Sequence, residues 1–261
     1  MEKLNIVWWG DNYNWGDWLN PYLAEKISGK ELNRVWLGDE TETFRHYIIG
    51  SILNWTRSGN YEVWGTGMEN PNVGLLAPPK KIHAVRGPLT RKTIIKQGYE
   101  CPEVYGDPAL LLPRFYTPNV EKKYKYGIIP HFLHTGHPWV SKFKNDPNVK
   151  IIDVLDPTIT RFVDDVNECE IILSSSLHGI MCGDAYGVPS YWVDLSSDGN
   201  YNWFKFNDYL MSVRRPLVPP IKVEPSTELD DLWPPLYNYS IEIDLDKLLD
   251  ACPFKNSKQT H

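Results

Sequence analysis

The chain has 261 residues, enough for one large or two small cores, and its 27 Lys and Arg against 33 Asp and Glu leave a formal net charge of −6. That acidic balance, with no block of basic residues, argues against nucleic acid as the main partner. Neither a signal-type apolar core after Met1 nor a membrane span of about 20 residues is present in the sequence. Four cysteines, Cys101, Cys169, Cys182 and Cys252, are scattered without a Cys-x-x-Cys pair, which speaks for reduced thiols in a cytoplasmic protein rather than a zinc ribbon or a disulfide scaffold.

In the first half, short apolar runs end in glycine-containing loops. Leu4 to Trp9 leads to Gly10, Tyr47 to Ile49 to Gly50, Tyr61 to Trp64 to Gly65-Thr66-Gly67, and Ile82 to Val85 to Arg86-Gly87-Pro88. Trp18, Leu19, Leu23 and Ile27 share one helical face, and Thr90 to Gln97 reads as a helix closed by Gly98. Glu103 to Tyr105 predicts another strand before Gly106-Asp107-Pro108, and Pro113 to Lys125 reads as a linker. The rhythm then resumes. Tyr126 to Pro130, Val149 to Ile152, Ile171 to Leu173 and Val188 to Val193 read as strands, and Ile159, Phe162, Val163 and Val166 mark a helix face. Leu177 to Tyr186 reads as a helix stopped by Gly187 and Pro189. Pro216 to Pro235 reads as a surface segment before a short helix at Asp244 to Asp250. Alternating strands and helices predict an α/β chain of two Rossmann-like lobes, residues 1–115 and 116–261, facing a central cleft at their strand ends.

Residues just past the strands are therefore the candidates for chemistry. Ser174-Ser175-Ser176-Leu177-His178 places small hydroxyl residues and a histidine at a helix start near Ser175 or Ser176, where free N–H groups and the helix dipole suit an anion. His178, in the first turn, is suited to carry a proton; a serine-rich cap followed by a core histidine fits the segment equally well. Arg86 either grips a carboxylate or phosphate in the cleft or pairs with an acidic neighbour. Asp17 is the natural N-cap of the first helix, or else a base or sugar-hydroxyl partner, and Asp107 before Pro108 reads as a turn starter. His131, His134 and His137 do not share a helical face, because Pro130 and Pro138 bracket them and Gly136 interrupts; His131 is kept as a cleft residue and no metal is expected. No phosphate-binding Gly-x-x-x-x-Gly-Lys loop or well-placed Gly-x-Gly-x-x-Gly supports ATP hydrolysis or dinucleotide redox chemistry.

Taken together, Asn14-Trp15-Gly16-Asp17, Gly50-Ser51-Ile52-Leu53, Trp64-Gly65-Thr66-Gly67, Val85-Arg86-Gly87-Pro88-Leu89-Thr90, Gly106-Asp107-Pro108-Ala109, Ile129-Pro130-His131, Ser175-Ser176-Leu177-His178-Gly179 and Ala185 to Pro189 resemble the polysaccharide pyruvyl transferase family, over about residues 10 to 210. The resemblance implies a GT-B-like fold and transfer of pyruvate from phosphoenolpyruvate to a sugar as a cyclic ketal, in capsule, exopolysaccharide or cell-surface glycan synthesis. It places Arg86, Leu177 and His178 at the donor. Many relatives carry arginine where this chain has Ser176, and Lys205, in the basic and aromatic segment Lys205 to Tyr209, is expected to compensate. Phosphoenolpyruvate needs cations and N–H donors, which Arg86, Lys205 and the Ser175, Ser176 and Leu177 turn would supply, with His178 as proton carrier and Asp17 as base. Asn14, Gly16, Gly65 and His131 are candidates for the cleft or the acceptor. The implied acceptor is a glycan of galactose type, lipid-linked at the inner face of the membrane, and no cofactor is expected beyond phosphoenolpyruvate as co-substrate. A GT-B glycosyltransferase using a nucleotide-sugar donor and a non-catalytic glycan-binding protein are the rival readings.

Overall fold

A computed structural model describes residues 3–196, 202–232 and 238–256. Five short strands, β1 (Leu4–Val7), β2 (Leu32–Val35), β3 (Arg45–Tyr47), β4 (Tyr61–Trp64) and β5 (Lys81–Ala84), form an all-parallel sheet in the order β2-β1-β3-β4-β5. A second all-parallel sheet has the order β10-β9-β8-β6-β7, from β6 (Tyr124–Ile129), β7 (Val149–Ile151), β8 (Cys169–Ser174), β9 (Ser190–Asp194) and β10 (Ile221–Lys222). In each sheet the winding reverses beside its first strand, between β1 and β3 and between β6 and β8. The loops that leave those strands diverge there, and such switch points are where open parallel sheets leave room for a ligand.

The helices are α1 (Trp15–Ser28), α2 (Pro88–Lys96), α3 (Pro138–Lys142), α4 (Ile159–Asn167), α5 (Leu177–Tyr186), α6 (Trp203–Ser212) and α7 (Leu245–Asp250). The α5 boundaries follow from local chemistry: Ser176 is extended (φ −100°, ψ 130°) and Gly187 takes the left-handed conformation (φ 70°) at the stop. The α1 start departs from the sequence reading, since Asn14 caps it, its Oδ1 accepting from Gly16 N–H at 3.1 Å. The helix begins three residues early because Trp15 is drawn into the core. Its indole stacks on Phe162 of α4 at 4.5 Å and donates to the Ile159 carbonyl at 3.1 Å, while its N–H donates to the Val154 carbonyl at 2.7 Å. Asp17 is thereby moved from the cap into the first turn.

Four further differences have physical causes. Glu103 to Tyr105 makes a single bridge, Val85 with Tyr105, because Pro102 lacks an N–H and Gly106 (φ 134°) turns the chain at once. The expected linker opens as a 3-10 helix, Pro108–Arg114, whose Leu110, Leu111 and Leu112 are buried, and Tyr124 and Lys125 already belong to β6. The edge strand β2 was hidden by its mixed Leu-Asn-Arg-Val composition. Helices α3 and α6 and the two-residue β10 lacked a clear apolar period, and β10 lies within the proline-rich segment expected at the surface. Residues 233–237, the end of that segment, lie outside the described residues.

One large core joins the two sheets through α1, the 3-10 helix at 108–114, α4 and α5. The C-terminal part crosses back to the first sheet. Helix α6 packs on α2, and the Trp64 indole of β4 donates to the Leu248 carbonyl of α7 at 2.8 Å. All four cysteines are free and buried.

Candidate active site

A pocket of about 380 Å3 lies where the loops after β1, β3, β5, β6 and β8 come together with α6. Asn14, Asp17, Arg86, His131, Ser176, Leu177, His178 and Lys205 all line it, so most of the side chains singled out from sequence share one space. Its size falls within the usual range for small-molecule sites, about 300–1,000 Å3.

The α5 start is built by the serine run. Ser174 Oγ accepts from Ser176 N–H at 3.0 Å, which fixes the turn into the helix, while the Ser176 side chain makes no capping hydrogen bond. Ser175 turns away from the pocket: its Oγ accepts from His131 N–H at 2.8 Å and lies 3.4 Å from His134 Nδ1, which braces the loop after β6. Among the described residues the N–H groups of Leu177 and His178 have no acceptor, nor do the ring nitrogens of His178 have a partner. A histidine in this position is presented to the pocket and is not a satisfied core residue.

Two glycines named from sequence act from behind the pocket wall. A Cβ on Gly16 would lie 2.0 Å from the His178 ring, so the start of α1 must be bare for the imidazole to sit against it. Gly65 (φ 93°) leaves room for Pro108, whose ring a Cβ would meet at 2.3 Å. Neither lines the pocket.

Arg86 is both a pocket residue and a buried ion-pair partner. Its Nε donates to Asp208 Oδ2 at 3.0 Å and its Nη2 to the Met68 carbonyl at 2.8 Å, while Nη1 reaches Ser51 Oγ. Asp208, fully buried on α6, also accepts from Leu89 N–H, Thr90 N–H and Thr90 Oγ1 at 2.9, 2.9 and 2.7 Å, capping α2 in place of Gly87, which has no side chain. One carboxylate thus fixes the arginine, the start of α2 and the register of α6. Sequence reading passed over Asp208 because its partners lie more than a hundred positions away.

The titrating groups are far from their ordinary values. Burial, with Lys205, Arg86 and His131 nearby, pushes His178 down to about 3. Burial, Lys205 and His134 push His131 down to about 4. Burial lowers Lys205, opposed by Glu69 and Asp17 and reinforced by Arg86. Burial raises Asp17 to about 7, with Lys205 opposing. Asp107 also lines the pocket and is likewise raised to about 7 by burial, its Oδ1 accepting from Ala109 N–H at 3.0 Å and its Oδ2 buried without a hydrogen-bond partner among the described residues. The pocket therefore presents a lysine, an arginine, two neutral imidazoles and two carboxyls poised near neutrality. His131 to His137 serve local turns, His131 and His137 each accepting a backbone N–H through Nδ1, and among the described residues no group of three His, Cys, Asp or Glu is placed to hold a metal.

Residues 63–197, just over half of the chain, match the family described as polysaccharide pyruvyl transferase. The chain belongs to the polysaccharide pyruvyl transferase family. Protein L143 of Acanthamoeba polyphaga mimivirus, itself uncharacterized, is 30% identical over 222 residues, covering 80% of this chain and 74% of that protein. The succinoglycan biosynthesis protein ExoV of Rhizobium meliloti is 28% identical over 222 residues, covering 75% of this chain and 65% of ExoV. The family match takes in Arg86, Asp107, His131 and the α5 start, whereas Asp17 and Lys205 lie outside it and reach the same pocket through the fold. Pyruvyl transferase membership implies a glycan acceptor. Among the described residues, no helix is long and apolar enough to cross a membrane.

Proposed function

We propose that the pocket binds phosphoenolpyruvate and transfers its pyruvate to two hydroxyls of one sugar as a cyclic ketal. The observation that carries this reading is the convergence of Arg86, Lys205 and the Leu177 and His178 N–H groups, unpaired among the described residues, on the space that holds His178. A donor with one phosphate and one carboxylate matches two cations and a helix start. In this reading Lys205 supplies the charge that relatives place at the Ser176 position. The two sheets act as the cores of GT-B-like lobes, residues 1–115 and 116–261, that meet at a central cleft, with α6 and α7 of the second crossing back to pack on the first. The acceptor is of galactose type, and lipid linkage at the cytoplasmic face of the membrane suits a growing surface glycan, such as a capsule or an exopolysaccharide.

The first sugar hydroxyl attacks C2 of phosphoenolpyruvate while C3 gains a proton, giving a tetrahedral carbon that bears methyl, carboxylate, the sugar oxygen and phosphate. The second hydroxyl then displaces phosphate and closes the ring. Of the two hydroxyl protons, one replaces the proton delivered to C3 and the other leaves with phosphate. His178, neutral among protein groups alone, gains basicity when the anionic donor offsets Lys205 and Arg86, and then delivers the proton to C3. Asp17, near neutrality, receives the hydroxyl proton. No cofactor takes part; phosphoenolpyruvate is the co-substrate.

Incubation with phosphoenolpyruvate and a panel of lipid-linked and synthetic glycosides tests the reading. Phosphate release together with a pyruvate ketal in the product mass spectrum is the expected result. Nucleotide release from nucleotide sugars, or glycan binding with neither donor consumed, would overturn it.

A further inference from the structure

A second depression, of about 650 Å3, adjoins the candidate active site. Trp55 and Glu69 line both, and Asn70, Asn72, Asn202 and Trp203 line the outer one only. Both indoles are open to solvent, Trp55 at 48% and Trp203 at 53% of their full exposure. Single exposed tryptophans need no explanation, but two lining one groove beside carboxamides are a different matter.

The groove is prebuilt. Asn54, buried next to Trp55, ties the facing loop with four hydrogen bonds: its Nδ2 donates to the Asn70 and Gly74 carbonyls at 3.1 and 3.0 Å, and its Oδ1 accepts from Glu69 and Asn70 N–H at 2.8 and 3.0 Å. Trp203 opens α6, the helix that carries Lys205 and is pinned through Asp208, so groove and pocket are held by the same element. The chemistry is that of a sugar site and not an anion site. Indole faces stack on the C–H faces of pyranose rings, and carboxamides match hydroxyls as donor and acceptor. Among the described residues the Asn72 carboxamide is without a partner, and the one basic lining residue, Arg57, is paired with Glu40. Glu69 stands at the junction, close enough to Lys205 to act on its charge.

We propose that this groove holds the glycan chain of the acceptor, with the sugars that precede the modified one stacked on Trp203 and Trp55 and Glu69 accepting a hydroxyl hydrogen bond as the terminal sugar enters the pocket. The substrate class is then an oligosaccharide or polymer, not a free monosaccharide. The inference rests on the proposed function for the identity of the transfer, but glycan binding is measurable without it.

Saturation-transfer NMR and titration with galactose- and glucose-terminated tetrasaccharides, each beside its methyl monosaccharide, provide the test. At least one tetrasaccharide is expected to bind well above its monosaccharide, with saturation on the internal sugars. Trp203→Ala is expected to weaken the tetrasaccharide about ten-fold while Trp203→Phe retains most affinity and phosphoenolpyruvate affinity stays unchanged in both. Tetrasaccharides that bind no better than their monosaccharides, or that are indifferent to Trp203→Ala and Trp55→Ala, would overturn the inference. So would a dimer in solution that Trp203→Ala dissolves, which gives the groove to a second copy of the chain. Groove binding without ketal formation would instead sink the proposed reaction and leave the groove standing.

Discussion

At the scale of single residues, what separates the candidate site from ordinary surface is the mismatch between its groups and water. His178 is held near pKa 3 chiefly by burial and further by two cations, so an anion that cancels those cations raises its affinity for a proton. Because Asp17 and Asp107, raised to about 7, also gain protons beside a bound anion, phosphoenolpyruvate binding is expected to take up protons at pH 7, measurable by calorimetry in buffers of different ionisation enthalpy, with the uptake reduced but not abolished in His178→Gln. The same variant should lose turnover by at least a hundred-fold, on the order of a missing general acid, with an unchanged circular dichroism spectrum. Near-normal turnover would remove the histidine from the chemistry. The two cations are not equivalent. Lys205 has no ion-pair partner among the described residues, so Lys205→Met should raise the KM for phosphoenolpyruvate with little loss of stability. Arg86→Ala strands the buried Asp208 carboxylate and should also destabilise the fold by about 3–5 kcal/mol, read as a drop in melting temperature. Equal stability of the two variants would contradict the burial argument.

At the scale of elements, the site is the meeting of two helix starts. Helix α1 begins under α5 because Trp15 is locked between Phe162 and the Ile159 and Val154 carbonyls, and Gly16 then lies flat against the His178 ring. Alanine at position 16 would ordinarily strengthen a helix by about 1 kcal/mol. Here its Cβ would fall 2.0 Å from the imidazole. Gly16→Ala is expected to abolish turnover through a displaced His178 while α1 stays helical, which an imidazole chemical-shift change in NMR would reveal. Retained activity with an unmoved ring would show that the contact is soft.

At the scale of the whole molecule, the buried titrating groups set the pH dependence of stability. His46, His131 and His178 are depressed to about 4, 4 and 3 against an ordinary 6.5, chiefly by burial. The unfolded chain takes up these protons first, so their contribution is intact above about pH 6.5 and is lost as the pH falls toward 4. Asp17 and Asp107 work in the opposite sense. Raised to about 7 from 3.8, they bind protons in the folded state that the unfolded state has released, and they weaken the fold as pH rises from about 4 to 7. Melting temperature should accordingly be nearly flat around pH 7 and fall toward pH 5, where three histidines outweigh two carboxyls. Asp17→Asn should stabilise the protein by roughly 1–3 kcal/mol at pH 8, with the gain vanishing near pH 4. A gain independent of pH would show that the carboxylate is not the cause.

The sequence by itself determined the alternation of short buried strands with helices and the position of α5. Apolar runs covered on both faces, glycine stops and prolines act through neighbouring residues and are legible one segment at a time. It also marked the strand-end residues as candidates. Their meaning was left open wherever it depended on a distant partner. Only the tertiary structure paired Arg86 with Asp208 across 122 positions, moved the α1 cap from Asp17 to Asn14, turned Ser175 toward the His131 loop and brought Lys205 and Asp107 into the pocket. The charge states were decided there too, because desolvation and Coulomb interaction depend on distance through space and not on spacing along the chain.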